Sequence, residues 1–375
     1  MRIINYAIIT RWRTILRAAA LFSMPFGTAS AQIAKYNKGL EQLFTAPLSY
    51  VTHYIDEAPD IDGNINERSW EKARWTTEFT DIEGTKKPKP YLDTRVKILW
   101  DKNYLYIAAE LQEPHVWANV KNHDEVVFYD NDFEVFIDPD NNTHQYFEIE
   151  VNALNTIFDL FLPKTYRSNS GALIPWDARG IKSAIRVNGT LNNPQDTDMG
   201  WTVEMAVPFS CISIGNDTVV PREGSLWRLN FSRVEWDTKS SGGSYVKVKD
   251  EHGKIKPENN WVWSPQGVVN MHYPERWGYL SFTRKDEHDA FILPYSEKQR
   301  QYLWLAYYRQ KEYYRKYKKY SSSLSELGLP GSAIMIDGKS NKLVSEATSK
   351  QFTVTISSPG TPSLSIDDEG LVQNL

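Results

Sequence analysis

The sequence predicts a mostly β protein, an antiparallel β-sandwich of the jelly-roll or immunoglobulin-like kind with a helical appendage at the C-terminus. Short runs of β-branched and aromatic residues recur between Gly, Pro, Asn and Asp, and helical periodicity is rare before residue 290. Beyond that point, a long segment rich in Tyr, Lys and Arg has helical spacing. The segments with the clearest strand pattern are 95–100, 104–111, 133–137, 146–151, 157–162, 182–187, 201–207, 226–234 and 278–282.

Residues 1–31 have the composition of a cleavable secretory leader. Four Arg accompany a short apolar stretch over 18–27, and Ala29-Ser30-Ala31 matches the small-residue pattern of a cleavage site. The apolar stretch is too short to span a bilayer, and there is no Cys near the cleavage site to carry a lipid anchor. We therefore expect a secreted or periplasmic protein without a membrane anchor, in which residues 32–57 lead into the folded domain.

The charge balance argues against nucleic acid as a partner. The chain has 43 Lys and Arg against 47 Asp and Glu, and loss of the leader's four Arg lowers the net charge from −4 to about −8. Phosphate binding needs a basic surface, which this composition does not favour. The chain also contains 13 Trp and 21 Tyr, and surplus aromatic residues are typical of surfaces that bind sugars.

The segment 132–159 predicts a hairpin with one apolar and one acidic face. Phe133, Val135 and Ile137 alternate with Asp132, Glu134 and Phe136 in the first half, and apolar residues alternate with polar ones in the second, so the two sets project from opposite faces of the sheet. The run 138–142 between the halves has the composition of a turn. The acids expected on the second face are Asp132, Glu134, Glu148 and Glu150. Such a face suits a hydroxyl-rich ligand or a hard cation.

Five motifs fall in a fixed order along the chain: PDIDGNINERSW at 59–70, VKILWDKNYLY at 96–106, DFEVFID at 132–138, GWTVEMAVP at 200–208 and WGYL at 277–280. Together they resemble the motifs of the family 9 carbohydrate-binding modules. The resemblance covers a domain at about 58–285. It implies a β-sandwich that binds an oligo- or polysaccharide, in many members with structural Ca²⁺.

The resemblance also implies a sugar ring held between two aromatic side chains. Phe128 or Tyr129 matches the first aromatic position, and Trp263 or Tyr273 is the nearest candidate for the second. The residues expected to exchange hydrogen bonds with the sugar hydroxyls are Asp132, Glu134, Glu150 and Asn270. Because some members carry Arg where this chain has Glu150, the resemblance carries over the fold and the ligand class but not the individual sugar.

The turn at 138–142 is also a candidate calcium site. Asp138, Asp140 and Asn142 alternate as oxygen ligands do in some Ca²⁺ loops, although the EF-hand pattern is absent. A turn closed by hydrogen bonds from these side chains, without an ion, is the alternative. No organic cofactor is expected.

Three other functions stay open on sequence alone. The sheet acids could form the acid and nucleophile of a glycoside hydrolase, although acids on an open face lack the apolar pocket that raises a catalytic pKa. A remote alternative is a haem b site at Met271 and His272, with Met199 or Met205 as a second ligand. The third is an assembly protein that works through its C-terminal helix.

The region 290–375 predicts that helix and a small β-rich tail. The helix is expected at 297–319, where an aromatic stripe should pack on the sandwich or on the segment that follows it, or bind a protein partner. The stripe comprises Tyr302, Ala306, Tyr313, Tyr317 and Tyr320. The junction KYSSSLSELGLP at 319–330 weakly resembles the helix-to-sheet junction of pilin-like proteins, and a disordered end is expected from about residue 359. The sequence as a whole favours an exported, non-catalytic carbohydrate-binding protein of polysaccharide catabolism.

Overall fold

The computed structural model describes residues 35–285 and 290–375 of the chain. The expected leader and its cleavage site therefore lie outside the described residues. Within the described ranges the protein is mostly β, with one long α-helix. No described helix is both long and apolar enough to cross a membrane.

Nine of the fourteen strands of the N-terminal domain match the nine segments expected from the sequence. The fourteen strands are β1 (Ser49–Tyr54), β2 (Thr80–Asp81), β3 (Thr94–Trp100), β4 (Tyr104–Gln112), β5 (Asp132–Asp138), β6 (Tyr146–Asn152), β7 (Ile157–Leu162), β8 (Lys182–Asn188), β9 (Gly200–Pro208), β10 (Leu226–Glu235), β11 (Thr238–Ser241), β12 (Ser244–Lys247), β13 (Asn259–Val262) and β14 (Gly278–Thr283). The five strands that are not among the expected segments are β1, β2 and β11 to β13. The C-terminal unit has α1 (Tyr295–Tyr317), β15 (Ala333–Ile336), β16 (Lys339–Ala347), β17 (Phe352–Ser357), β18 (Leu364–Asp367) and β19 (Val372–Asn374).

Twelve of the strands form one continuous sheet that folds over on itself as a sandwich. Its order is β7-β6-β5-β10-β14-β1-β3-β4-β9-β8, with β13 beside β10 and β2 beside β13. Side chains from both halves of this order pack in one core, for example Ile107 and Val203 against Phe133 and Leu229. The strands β1, β14 and β3 are parallel to one another, and the other pairings are antiparallel. The predicted antiparallel sandwich is confirmed.

The segment 32–57, expected only to lead into the domain, supplies the strand at the seam of the sandwich. Residues Ser49–Tyr54 pair with β14 along their length and with the end of β3. The Tyr50 hydroxyl donates to the Arg74 carbonyl and accepts from the Ile98 amide, which ties the strand to residues far along the chain. The segment lacks the alternation of apolar and polar residues that indicates a strand, because its strand structure depends on pairing with distant residues.

The C-terminal unit packs α1 against a five-stranded antiparallel sheet in the order β15-β16-β17-β18-β19. The expectation that the helix packs onto neighbouring structure is confirmed, but its buried face is centred on Leu303, Ala306, Tyr307 and Gln310. Tyr317 is 49% exposed, because it lies in the last turn, beyond the edge of the covering sheet. Within the expected stripe, Ala306 and Tyr320 are buried, Tyr302 and Tyr313 are partly buried, and Tyr317 is exposed.

The end of the chain is ordered, in contrast to the expected disorder after about residue 359. Strands β18 and β19 pair with each other, and β18 also pairs with β17. Leu364, Ile366 and Val372 are buried in the same cluster as the helix side chains. These strands are too short to show a period, and the helix that covers them makes them stable.

The C-terminal unit is fastened to the turn between β5 and β6. Glu297 of α1 accepts from the Asn141 amide at 2.8 Å and pairs with Arg228 of β10 at 3.1 Å. The Arg300 guanidinium donates to the Asn141 carbonyl at 2.6 Å, and the Val372 amide donates to the Asn142 carbonyl. All of these groups are largely buried, so the turn of the hairpin is held between the two units.

Candidate functional site

The candidate site is a cleft of about 450 Å³ on the sheet face opposite the main core. Its floor is the second face of β5, β6 and β7, with β10 and β13 at one side. Loop residues Phe128, Tyr166 and His272 form its walls. Side-chain alternation along β5 and β6 predicts an acidic second face of the hairpin, and that face is the floor of the cleft.

Four carboxylates lie on or under this floor. Glu134 of β5 is directly opposite Glu150 of β6, and Glu148 is opposite Phe136 two pairs further along, on the same face. Asp132 lies two residues before Glu134 on the same face. The exposed fraction of each of the four residues is 5% or less, so the expectation of an open acidic face is wrong. The loops that wall the cleft bury an antiparallel face that strand alternation alone leaves open to solvent.

Backbone amides satisfy only part of this acidic group. Asp132 Oδ1 accepts from the Val234 amide at 3.0 Å, and Glu150 Oε2 accepts from the Phe128 amide at 3.2 Å. Asp132 Oδ2 and Glu148 Oε2 are buried and have no hydrogen-bond partner among the described residues. One oxygen each from Asp132, Glu134 and Glu150 lie within 4.8 Å of one another.

Burial makes the charged form of these acids unfavourable. Loss of solvent raises the pKa of Glu134 to about 7. Burial, with the charge of Glu134 as a further cause, raises the pKa values of Asp132, Glu148 and Glu150 well above their usual range. No Lys, Arg or His in the described part of the chain forms an ion pair with any of them.

Aromatic side chains form the walls of the cleft. Tyr166 is 42% exposed, Phe128 is half-buried, and Phe136 and Phe158 are buried closer to the floor. The ring of His272 meets that of Tyr166 edge-on at 4.4 Å. These rings give the cleft apolar surface directly above its acids.

His272 is held as a neutral side chain. Its Nδ1 lies 3.0 Å from the hydroxyl of Tyr146, and burial lowers the pKa of its imidazole to about 4. A neutral imidazole has one nitrogen that donates and one that accepts. It therefore adds a polar group to the wall without adding charge at neutral pH.

The structure brings together most of the residues expected to bind the ligand. Phe128, Glu134, Glu150 and Asn270 all line the cleft, and Asp132 lies among the acids of the floor. Tyr129 is 58% exposed, and its ring packs against that of Phe128 at 5.1 Å. It lies at the rim and does not line the cleft.

The two candidates for the second aromatic position lie elsewhere. Trp263 is 2% exposed and belongs to the main core, where its ring packs on Gly278. The ring of Tyr273 stacks against the Arg167 guanidinium at 4.7 Å and does not line the cleft. Trp263 and Tyr273 therefore do not supply the second aromatic ring of this cleft, because each packs against other residues. Tyr166 supplies an aromatic ring that the sequence analysis missed.

The other missed residues differ in how visible they are in the sequence. Phe136 and Phe158 lie on the second face by strand alternation, so the pattern itself could have identified them. Tyr166 and His272 come from loops, where no period exists. Only the folded structure brings these two together.

The turn expected to bind calcium is closed by its own hydrogen bonds. Asp138 Oδ2 accepts from the Thr143 amide at 2.8 Å, Asp140 Oδ2 from the Asn142 side-chain amide at 2.6 Å, and Asn142 Oδ1 from the His144 amide at 2.7 Å. These hydrogen bonds are the ones expected of a turn that side chains close without an ion, which is the alternative to a calcium site. Calcium at Asp138, Asp140 and Asn142 stays a prediction.

The haem alternative has no support in the arrangement of the methionines. Met271 packs under the cleft, where its sulfur accepts from the Gln266 amide. Met205 is buried in the main core, and Met199 lies 81% exposed in a separate pocket beside Trp201. Neither of these two methionines therefore faces His272 across a space that could hold a porphyrin.

A family model described as carbohydrate family 9 binding domain-like matches residues 61–263 of the chain. This is more than half of its length. The chain belongs to this family. The family 9 match begins after β1 and ends before β14, so both strands at the seam of the sandwich lie outside it.

The curated relatives of this family 9 protein are much longer enzymes. Exoglucanase XynX of Acetivibrio thermocellus is 27% identical over 225 residues, which cover 54% of this chain and 18% of the relative. Endo-1,4-beta-xylanase A of Thermoanaerobacterium saccharolyticum is 25% identical over 225 residues, covering 54% and 17%. The chain thus spans less than a fifth of the length of either relative.

Solved structures similar to this family 9 protein include two bacterial proteins. One is a Bacteroides uniformis protein with a proposed role in carbohydrate binding, at 16% identity and a TM-score of 0.47, covering 63% of this chain and 100% of that one. The other is a family 9 module of Caldicellulosiruptor kristjanssonii in complex with cellotriose, at 16% identity and a TM-score of 0.41, covering 66% and 100%.

Proposed function

We propose that this protein binds a saccharide in the cleft above β5 and β6, and that it does so without cleaving it. The observation that carries the proposal is the combination, in a family 9 domain, of exposed aromatic rings with carboxylates in one cleft. The cleft volume of about 450 Å³ falls within the range of small-molecule sites.

The two kinds of side chain match the two kinds of surface on a sugar ring. The apolar C–H face of a pyranose packs well on an aromatic ring, and Tyr166 and Phe128 offer such rings at the mouth of the cleft. Sugar hydroxyls donate hydrogen bonds, and Glu134 and Glu150 offer acceptors below.

The names of the relatives suggest which saccharides to test first. They are called an exoglucanase and an endo-1,4-beta-xylanase, and one similar structure holds cellotriose. We therefore propose β-1,4-linked gluco- and xylo-oligosaccharides as the first panel, with polysaccharide breakdown as the setting.

Calorimetric titration of the protein with this panel tests the proposal. We expect Glu134→Gln to weaken binding by about 0.5–1.5 kcal/mol, or roughly 2- to 13-fold, because an amide NH₂ group replaces one of the two carboxyl oxygens that can accept from a sugar hydroxyl. Tyr166→Ala should cost about 0.5–1.5 kcal/mol through lost stacking. Tyr317→Ala is the matched control, since this Tyr is similarly exposed but lies on α1. Equal affinity in all four proteins, or no binding to the panel, would contradict the proposal.

One observation favours hydrolysis as a second candidate function. Burial raises the pKa of Glu134 to about 7, so it holds a proton near neutral pH, and an oxygen of Glu150 lies within 4.8 Å of one of its own. Retaining glycosidases place an acid and a nucleophile about 5 Å apart. Analysis of the titrated samples for shortened sugars separates the two functions, because only a hydrolase releases product and Glu134→Gln would abolish that release.

We also propose that the protein is exported, on the basis of the basic and apolar pattern of residues 1–31. The N-terminal residue of the protein recovered from its native host tests this. Processing after Ala31 would give Gln32 as the first residue, and an unprocessed N-terminus in an intracellular fraction would contradict it.

A further inference from the structure

The floor of the cleft holds four buried carboxyl groups, and no cationic side chain in the described part of the chain pairs with them. Asp132, Glu134, Glu148 and Glu150 are each 5% exposed or less, and each lies among the others. An ionised carboxylate in such a place costs several kcal/mol unless a cation or strong donors accompany it. Arg233, on the neighbouring strand β10, is committed to Glu113 and Glu235 at 2.9 and 2.8 Å.

We propose that Asp132, Glu134 and Glu150 bind a divalent cation, best matched by Ca²⁺, on the floor of the cleft. Carboxylate oxygens from these three residues already converge within 4.8 Å of one another. Ca²⁺ binds oxygen at 2.3–2.6 Å, so two ligands on opposite sides of one ion lie at most about 5 Å apart. The spacing of the three oxygens is therefore compatible with ligation of one Ca²⁺.

An unsatisfied oxygen supports the site independently of the number of acids. Asp132 is fully buried, its Oδ1 is taken by the Val234 amide, and its Oδ2 has no hydrogen-bond partner in the described part of the chain. Buried polar atoms in native proteins rarely lack a partner, and a bound ion can supply the one that the chain does not. Glu148 Oε2 is a second such oxygen beside the same group.

Two other acidic groups in the described part of the chain differ from the cleft floor. Hydrogen bonds from nearby amides close the turn at Asp138 and Asp140. In the second group, Asp124 Oδ1 and Asp159 Oδ1 are also buried without a hydrogen-bond partner, but the ring of His123 lies within 3.5 Å of the carboxylates of Asp124, Asp159 and Asp177 and supplies a cation when protonated. The floor of the cleft has no comparable partner among the described residues, and this difference selects it as the cation site.

The location of the site suggests a role in ligand binding, and this part rests on the proposed function. Three carboxylates leave several of the six to eight positions around Ca²⁺ unfilled. Glu134 and Glu150 line the open cleft, so neutral hydroxyl oxygens of a sugar could fill those positions from there. The cation would then anchor a pair of hydroxyls while the aromatic walls hold the ring.

The test is calorimetric titration of CaCl₂ into the full chain after treatment with EDTA, together with thermal melting with and without the ion. Three variants compare the three acidic groups: Glu150→Gln, Asp140→Asn and Asp177→Asn. We expect the wild-type protein and the last two variants to bind one Ca²⁺ and to melt at higher temperature with it. Glu150→Gln should lose more than about tenfold in affinity, because loss of even an outer partner of a metal ligand costs that much.

Glu150→Gln removes a buried charge from a like-charged group, so we expect it to fold, and its melting curve in EDTA verifies this. Loss of Ca²⁺ binding only in Asp140→Asn or only in Asp177→Asn would overturn the proposal in favour of that group, as would no binding in any of the four proteins. Sugar titrations repeated in EDTA separate the two proposals. Sugar binding with no Ca²⁺ binding overturns the cation site alone, and Ca²⁺ binding at Glu150 with no sugar binding overturns the proposed function alone.

Discussion

Among the described residues, some buried ionisable groups have a partner of opposite charge and others do not. Arg167 forms a bidentate pair with Glu275 at 2.6 and 2.9 Å, and the Tyr308 hydroxyl also donates to Glu275. The acids of the cleft floor have no such partner among the described residues. Burial alone would raise the pKa of Glu275, but the charge and hydrogen bonds of Arg167 lower it below its usual value.

This pair makes a prediction about stability and pH. Because the pKa of Glu275 is lower in the folded than in the unfolded chain, its stabilisation is complete above about pH 4.5 and is lost as pH falls through the folded pKa. Glu275→Gln should cost about 3 kcal/mol at pH 7, since it leaves Arg167 buried beside a neutral partner. The difference from wild type should shrink towards zero in acid.

Urea unfolding between pH 3 and pH 7 measures this difference. Glu251→Gln is the control, because Glu251 is 86% exposed and should show no difference at any pH. A cost for Glu275→Gln that stays constant across the range would show that Glu275 acts through packing and not through its charge.

At the scale of single elements, strand β14 shows how packing removes a predicted ligand-binding residue. A Cβ built on Gly278 would lie 2.4 Å from the ring of Trp263 and 3.1 Å from the Leu48 carbonyl. The ring therefore fits only because residue 278 has no side chain. Trp263 is a component of the core, and the sequence could not distinguish it from a surface Trp, since both occur near loops.

We expect Gly278→Ala to destabilise the protein by about 1–3 kcal/mol through overpacking against Trp263. Gly331→Ala is the matched control, because a Cβ there meets nothing within 4 Å and its φ is not in the left-handed region. Thermal or denaturant unfolding of the two variants provides the comparison. Equal stabilities would show that the ring of Trp263 has room to move.

The alternation of β5 and β6 predicted the most important element of the site correctly. It gave the hairpin, the turn and the residues that share each face, because a period of two directly follows from strand geometry. It could not predict that the second face is covered, because the covering residues Tyr166 and His272 lie in loops. For the same reason the acids were expected to be solvated when they are buried.

For the molecule as a whole, the C-terminal unit is anchored by buried charge. Glu297 accepts hydrogen bonds from Asn141, Arg228 and Tyr279, three residues of the N-terminal domain. The sequence predicted a helix that packs on its surroundings, but not this attachment. Contacts between segments so far apart in sequence have no local pattern.

We expect Glu297→Ala to destabilise the protein by about 3–5 kcal/mol, since it leaves Arg228 buried without its carboxylate. It should also make the C-terminal unit easier to release by limited proteolysis near residue 290. Lys298→Ala is the control from the same turn, because Lys298 pairs with the exposed Asp337 and such pairs are worth about 0–1 kcal/mol. If both variants unfold like wild type, the buried pair does not hold the unit in place.

The parallel pairing of β1 with β14 also has a consequence in time. Ser49 lies beside Tyr279, about 230 residues later in the chain. At ribosomal rates of 5–20 residues per second, β1 waits roughly 10 to 50 s for that partner to be synthesised. Until then the two layers of the sandwich are not joined through β1 and β14. The backbone groups of β1 that later pair with β14 can pair with another chain instead. We therefore expect a better yield of folded protein when the nascent chain is kept from contact with other chains than when it is not.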